Sequence, residues 1–326
     1  MADAVNTRAR SSWATVSSLL RPLASFGATL AGALFFVSAL LYFSPGTAAD
    51  VIAQDAALRE ALIEEWGLND SLFQQYGAYI SRAFTGDFGV SLTYRPGTPV
   101  AEIMASKAAE TLTLVLTALF LSLLVGTAMA FWSAGRTRTL SRASLRLLSV
   151  PPVFLIAYLS MILLDSWAYS ATVEAGEPPP GWFPLLMEDS SLKFWLAVGA
   201  LALGSSALTE IHGAAEREIR RIRSSGYVDA ARARGAPIWP HTLSTLLPAL
   251  TTLVSSRAAF FLGGAIIVEK VFGLHGLGDV LWEACRKRDF PLVLGITLLS
   301  AAFVCGARLL ADWLRMAMDP RHRIGR

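Results

Sequence analysis

The stretch LTLVLTALFLSLLVGTAMAF, residues 112–131, carries no charged side chain over its whole length. A helix rises about 1.5 Å per residue, so a run of this length covers roughly 30 Å, the thickness of a bilayer's hydrocarbon core. Within lipid the backbone must satisfy its own hydrogen bonds, which a helix does inside one segment. This stretch therefore predicts a membrane-spanning helix.

Further apolar runs of spanning length lie on both sides of it, at residues 23–43, 145–164, 194–211, 247–268 and 292–314. Of the 326 residues, 54% are hydrophobic and only 16% are charged, against about 25% charged in soluble domains. The net charge of +3 does not indicate nucleic-acid binding, because the basic residues fall between apolar runs. The sequence thus predicts an all-α integral membrane protein with about six transmembrane helices.

The loops between these runs alternate in charge. Arginines cluster before the first run, between the second and third, between the fourth and fifth, and after the last, whereas residues 174–189 hold four acids and no base. Basic loops stay on the cytoplasmic side of a membrane. Both termini are therefore expected in the cytoplasm.

This topology divides the chain as follows: a cytoplasmic N-terminal segment at 1–22, transmembrane helix 1 at 23–43, an external region with short helices at 44–110, and a core of five spans at 111–326 with a cytoplasmic loop at 212–246. The external region includes the amphipathic stretch AALREALIEEWG, residues 56–67. It predicts a short helix on the outer face.

The cytoplasmic loop contains Tyr227-Val-Asp-Ala-Ala-Arg-Ala-Arg-Gly235. The small residues predict a short helical turn with a basic face, ended by a left-handed cap at Gly235. Two small side chains, Ala230 and Ala231, would allow a partner to approach closely. Pro237 and Pro240 are expected to stop the helix from resuming, and Pro248 to open the next span. A loop with no partner is the alternative interpretation.

This segment resembles the coupling loop of permeases from binding-protein-dependent ABC importers, whose pattern is Glu-Ala-Ala, three residues, Gly, nine residues, Ile, one residue, Leu-Pro. Here Asp229 replaces the Glu and Thr245 replaces the Ile, while Gly235 and Leu247-Pro248 fit. The resemblance implies that the residues contacting an ATPase subunit are Tyr227, Asp229, Ala230, Ala231, Arg232, Arg234 and Gly235.

Other stretches resemble the dipeptide, oligopeptide and nickel permeases, in their first-permease branch. They are 267–278 with Arg288-Asp-Phe-Pro291, the segments of 66–100 around Gln75-Tyr76 and Gly86-Asp-Phe-Gly, and Asp319-Pro-Arg321. The resemblance implies a type I importer permease fold. Fewer residues separate Gly235 from Pro248 than is expected in that branch. The surface that contacts the ATPase subunit is therefore expected to differ in detailed shape.

The same resemblance implies the partners: a second, distinct permease, two ATPase subunits and an extracytoplasmic substrate-binding protein, in a bacterial cytoplasmic membrane. The chain has no Gly-x-x-x-x-Gly-Lys-Ser/Thr phosphate loop, so ATP and Mg would be held by the ATPase subunits and no cofactor by this chain. Di- or oligopeptides are the expected substrates, with nickel chelates, glutathione and other small solutes as alternatives. This chain itself is expected to be non-catalytic.

Two other classes of protein remain as alternatives. A membrane-embedded enzyme would need convergent catalytic groups within the spans, and Ser255, Ser256 and Arg257 are the nearest approach to such a cluster. An ion-coupled secondary transporter would need paired acids near mid-membrane or corresponding broken spans in two halves. Neither pattern is convincing in the sequence, and the four scattered histidines predict no metal site.

Arg257 falls near the middle of the fifth predicted span, where a lone Arg costs about 2.5–3.5 kcal/mol on insertion scales. It should therefore face a cavity or a partner. One interpretation is that it lines a substrate pathway and attracts a carboxylate, together with Ser256, Gly263 and Gly264. The other is a fixed pair with an acid on a neighbouring helix or subunit.

A glycine-rich segment follows the fifth span, and its glycines permit tight turns. Its candidate residues for an external gate are Phe272, Gly273, Gly276 and Gly278. A compact surface turn without a gating role is the alternative.

Overall fold

The computed structural model describes residues 24–134, 151–175, 190–204, 206–237 and 239–318. Apart from an isolated β-bridge between Val90 and Pro99, the regular elements in these ranges are helices, which confirms the predicted all-α class. In chain order they are α1 Ala24–Phe43, α2 Ala49–Ile52, α3 Ala56–Glu65, α4 Leu72–Phe84, α5 Val100–Ser133, α6 Val153–Ala175, α7 Ser190–Gly204, α8 Ala207–Arg223, α9 Gly226–Ala233, α10 Trp239–Phe272, α11 Leu277–Arg286 and α12 Phe290–Met318.

Within these ranges, four helical segments are long and apolar enough to cross a membrane: Ala24–Phe43, Val100–Ser133, Thr245–Phe272 and Phe290–Arg315. They coincide with the first, second, fifth and sixth predicted spans. The third corresponds to α6, whose apolar part is Val153–Leu164, and residues 145–150 lie outside the described ranges. So do the N-terminal segment 1–22, the arginines between the second and third spans, and the tail 319–326.

The fourth predicted span, 194–211, is not one straight helix. Helices α7 and α8 meet at 55°, and Ser206 at the junction has φ 53°, the left-handed region. Gly204 lies so close to α6 that an added Cβ would fall 2.3 Å from the Cα of Val153. The apolar run therefore ends at Gly204, and the last residues of the predicted span belong to the more polar helix α8.

Helix α10 corrects a second expectation. It begins at Trp239 and continues to Phe272, so the two prolines at 237 and 240 do not delay the helix until Pro248. Pro240 stands in the first turn, where a backbone N–H has no helical partner to lose. Pro248 lies inside the helix, where it lacks the N–H that would bond one turn back.

The described helices fall into two compact units, which are considered separately. In the unit formed by residues 105–283 and 310–318, α10 packs against α6, α7 and α8. Glycines permit close contacts there: a Cβ at Gly264 would lie 2.6 Å from Leu201 Cδ1, and one at Gly126 would lie 2.9 Å from Ile211 Cγ2. This unit holds the candidate functional residues described below.

The other unit comprises the residues up to Met104 together with 284–309. Leu34, Tyr79 and Leu294 form a buried cluster in it, so α1, α4 and α12 share a core. The fully buried carboxylate of Asp289 accepts hydrogen bonds from Ser91 Oγ at 2.5 Å and from the backbone N–H groups of Thr93 and Tyr94 at 3.0 and 2.9 Å. Asp289, just before α12, thereby holds residues 91–94, which precede α5, in place.

Candidate functional site

The short helix α9, predicted as the coupling helix, ends in a glycine cap. Gly235 has φ 67°, and its N–H donates to Arg232 O at 2.9 Å while Ala236 N–H donates to Ala231 O at 3.0 Å. This pair of bonds is the Schellman motif. The predicted left-handed cap at Gly235 is confirmed, and a Cβ there would meet no atom within 4 Å.

The two faces of α9 differ in exposure. Val228 and Ala231 are buried, at 0% and 3% exposed, because they lie three positions apart on the face that packs against the chain's own α8. Tyr227 is 48% exposed, and Ala230 and Ala233 are also exposed. The expectation that Ala231 is open to a partner is therefore corrected: the exposed small residues are Ala230 and Ala233.

Charged residues of α9 remain in solvent. Arg232 donates to Asp229 Oδ1 at 3.1 Å, with side-chain exposures of 49% and 67%. An exposed pair of this kind contributes about 0–1 kcal/mol to stability. Arg234 at the helix end is exposed as well. Because folding does not depend on these charges, they are free to meet another surface.

Helix α8 connects the membrane part to α9. One face is buried, through Ile211, Ala215, Ile219 and Ile222 among others, and it packs on α10 and α7. Ser133 Oγ and His212 Nε2 are 3.0 Å apart on this buried side. The buried Glu216 pairs with the exposed Arg220 at the edge of this face, and Arg221 pairs with Glu218. The helix that carries α9 is therefore held by a packed apolar face.

Arg257 of α10 is paired within the chain. Its guanidinium bonds to the Glu210 carboxylate of α8 and lies over the Phe260 ring, 4.9 Å from the ring centroid. Two interpretations of Arg257 were open, a pathway residue or a pair with an acid on a neighbouring helix. The structure shows such a pair, with Glu210 of α8. Sequence patterns could not identify this partner, because Glu210 lies 47 positions away from Arg257 within an apolar run.

The other residues grouped with Arg257 separate onto two faces of α10. Ser256 and Gly263 are exposed, whereas Gly264 is buried against Leu201 and Val153. Gly264 is therefore a packing position and not a pathway-lining one. Ser256 and Gly263 remain pathway candidates, since their face of α10 is open.

The segment after α10 is built around a buried carboxylate. Glu269, 1% exposed, accepts hydrogen bonds from Thr111 Oγ1 at 2.7 Å and from Gly278 N–H at 2.7 Å. Asp279 N–H also donates to it at 3.3 Å, and Thr111 Oγ1 in turn accepts from Leu277 N–H at 2.7 Å. We call this arrangement of Glu269, Thr111 and the turn 273–278 the Glu269 nest.

The candidate gate residues are parts of this nest. Gly273 has φ 65° and ends α10, and Phe272 is buried at 1% exposed. A Cβ at Gly276 would lie 2.5 Å from the Glu269 carboxyl carbon, and one at Gly278 would lie 2.5 Å from Ile266 Cα. These glycines are required by close approach to Glu269 and α10, which favours a compact turn.

Residues 122–324 match the family of the binding-protein-dependent transport system inner membrane component. The chain belongs to this family. It is a multi-pass membrane permease of an ATP-driven importer, which confirms the family inferred from the coupling-loop pattern. In general terms, membership implies a partner permease, ATPase subunits and a substrate-binding protein.

Individual relatives cover most of the permease. The glutathione transport system permease protein GsiC of Shigella boydii serotype 4 is 30% identical over 303 residues, 89% of this chain and 94% of the relative. GsiC of Escherichia coli strain K12 gives the same identity and coverage. The oligopeptide transport system permease protein AppB of Bacillus subtilis strain 168 is 28% identical over 275 residues, 81% of this chain and 84% of the relative.

Proposed function

We propose that this permease carries short peptides across a bacterial cytoplasmic membrane. We also propose that an ATPase subunit binds the exposed face of α9. The substrate class is supported by the relatives, which are named for glutathione and oligopeptide transport. The observation that carries the coupling role is the exposure of α9: its apolar face is anchored on this chain, while Tyr227, Ala230 and Arg234 point away from it.

Force applied to α9 has a direct route into the membrane part. Val228 and Ala231 are buried on the side of α8, and α8 packs on α10, which contains a spanning segment. The glycine cap fixes the end of α9 through two backbone hydrogen bonds. Because its end is fixed and one face packs on α8, helix α9 should move together with α8 and α10. Alternating access by rigid-body motion requires such a connection.

In the assembled transporter, this chain pairs with a second and distinct permease in the lipid bilayer, and the pathway runs between them. Two ATPase subunits bind ATP and Mg on the cytoplasmic side, where both termini of this chain lie, and this chain binds no cofactor and catalyses no reaction. A binding protein delivers substrate on the outer side. The coupling contacts on this chain are Tyr227, Asp229, Ala230, Arg232, Ala233, Arg234 and Gly235.

The coupling proposal is tested by a charge placed on the exposed face of α9. Ala230→Glu should leave membrane insertion intact and strongly reduce co-purification of the ATPase subunits in mild detergent. Ala57→Glu is the matched control, because Ala57 is also an exposed alanine on a short helix, α3. Ala231→Glu should instead lower folded yield, since Ala231 is buried. Equal ATPase recovery with Ala230→Glu and Ala57→Glu would refute the assignment.

The substrate proposal is tested by uptake. Cells that lack other peptide importers and express the complete transporter should accumulate labelled dialanine, and an ATPase-inactive transporter should not. Unlabelled di- and tripeptides should compete with the label. Competition by free amino acids or sugars, with none from peptides, would overturn the peptide assignment while leaving the permease family unaffected.

A further inference from the structure

The junction of α7 and α8 places a carboxylate at membrane depth. Helix α7 is apolar, and α8 begins after Ser206 in its left-handed conformation. Glu210 lies in the first turn of α8, and its Oε1 accepts a hydrogen bond from Ser206 Oγ at 3.3 Å. The break in the spanning helix therefore turns an acidic side chain toward α10.

Arg257 on α10 is at a similar depth. It follows Thr245, where the apolar segment begins, by 12 positions and precedes Phe272 by 15, or about 18 and 22 Å of helix. Arg257 is thus near the middle of its spanning segment, and Glu210 lies at the same depth because the two side chains are in contact. Charged residues at this depth face protein or a water-filled cavity and are not exposed to lipid tails.

The pair is incompletely enclosed by its own chain. The side chain of Arg257 is 16% exposed and that of Glu210 is 41% exposed. The Nε of Arg257 is buried and has no hydrogen-bond partner among the described residues. Guanidinium has five N–H donors and a carboxylate has about four acceptor sites, so both groups can bind further charged atoms.

We propose that Arg257 and Glu210 form a binding site for the two charged ends of a zwitterionic peptide within the transport pathway. The peptide carboxylate binds the terminal nitrogens of the Arg257 guanidinium, and the peptide ammonium binds Glu210. The inference rests on the proposed peptide substrate and extends it to named atoms.

Electrostatics favours this exchange of partners. A zwitterion adds one positive and one negative charge, so the occupied site contains two opposite pairs and no net charge. An unpaired ion at membrane depth would carry a large desolvation penalty, and neither the empty nor the occupied site contains one. A peptide blocked at one end cannot complete it, because one member of the protein pair would then lack its new partner.

The experiment uses the complete transporter with its binding protein in proteoliposomes and four probes: dialanine, dialanine amide, N-acetyl-dialanine and N-acetyl-dialanine amide. Uptake by each variant is divided by wild-type uptake of the same probe, so that the binding protein's own preference cancels. The variants are Arg257→Gln, Glu210→Gln and the double variant. Arg315→Gln is the matched control, because it removes another arginine paired with a carboxylate, Asp312, on a spanning helix.

Loss of a charge-assisted hydrogen bond should lower dialanine uptake by roughly tenfold in Arg257→Gln and in Glu210→Gln. Arg257→Gln should affect dialanine amide much less, and Glu210→Gln should affect N-acetyl-dialanine much less. The double variant should transport the doubly blocked probe as wild type does and still fail with dialanine. Arg315→Gln should change all four ratios equally or not at all.

A purely structural pair predicts another result: each single variant lowers uptake of all probes by one common factor, and the double variant recovers all of them. That outcome would overturn the inference. Where a blocked probe is not taken up by wild type, thermal stabilisation of the purified complex by millimolar probe replaces uptake. If the wild-type complex retains its ATPases but responds to none of the probes, the peptide substrate itself is wrong.

Discussion

The turn after α9 and the turn after α10 begin alike and end differently. Both helices stop at a glycine in the left-handed region, Gly235 at φ 67° and Gly273 at φ 65°. Both turns carry a backbone bond from the second residue after the helix cap, Ala236 N–H to Ala231 O and Leu274 N–H to Glu269 O. The two turns therefore share the left-handed glycine and this backbone hydrogen bond.

The two turns differ in their surroundings. After Gly273 the backbone closes around Glu269, and Gly276 and Gly278 have no room for a Cβ. Around Gly235 there is open space, and the residues before it are mostly exposed. A turn whose polar groups are satisfied internally stabilises the fold, whereas a turn that leaves side chains in solvent is suited to binding. Substitutions in the two turns should thus have different consequences.

The largest effect on stability is expected in the Glu269 nest with Gly278→Ala. The added Cβ would lie 2.5 Å from the backbone Cα of Ile266, which cannot rotate away as a side chain can. Overpacking of this kind costs about 1–3 kcal/mol and occasionally more. Thermal unfolding of the detergent-purified protein measures it. Gly199→Ala is the control, because its Cβ meets no atom within 4 Å; equal unfolding temperatures would contradict the close contact.

A smaller loss is expected for Glu269→Gln. Thr111 Oγ1 donates to Glu269 Oε1 and accepts from Leu277 N–H, so an amide NH₂ at this position would oppose the hydroxyl hydrogen. An unsatisfied buried group costs about 1–3 kcal/mol. Thr111→Val removes the same bond without changing the charge of residue 269. The two substitutions should be markedly non-additive in unfolding free energy, and full additivity would show that they do not share one network.

The Glu269 nest also depends on contacts between distant residues, which the sequence alone does not predict. The apolar runs predicted the spans because hydrocarbon thickness imposes length and composition locally. Thr111 and Glu269 are separated by 158 positions and Arg257 and Glu210 by 47, and a single sequence contains no local signal that joins such residues. The sequence shows glycines at 276 and 278, but whether they serve mobility or close packing depends on that distant threonine.

The break at Ser206 was predicted only in part. Gly204, Ser205 and Ser206 interrupt the apolar run 194–211 and mark it as the weakest predicted span, but hydropathy is insensitive to φ and does not predict the 55° bend. Pro240 misled in the opposite direction, since a proline reads as a helix breaker although it is tolerated in a first turn. In contrast, the cap at Gly235 depends only on neighbouring residues and was predicted correctly.

A graded series at Gly235 should have an intermediate effect, caused by backbone conformation alone. Asn tolerates the left-handed region better than Ala, and Pro cannot adopt it and lacks the N–H that bonds Arg232 O. Coupling, measured as peptide transported per ATP hydrolysed, should fall in the order Gly, Asn, Ala, Pro, with about 1 kcal/mol lost in stability for Ala. Because the surrounding space is open, equal defects for Asn and Ala would point to a steric contact with a partner.

The smallest effect on stability, and the sharpest contrast with the Glu269 nest, is expected at Arg232. Its bond to Asp229 is solvent-exposed on both sides, so Arg232→Gln should change the unfolding free energy by less than about 0.5 kcal/mol. The same variant should weaken ATPase attachment if the exposed face of α9 is the coupling surface, and the difference from wild type should shrink as salt screens the charge. Stability and ATPase recovery are measured on one preparation at two salt concentrations. A variant that loses stability yet keeps its ATPases would reverse the contrast, because α9 would then behave as a structural element like the Glu269 nest.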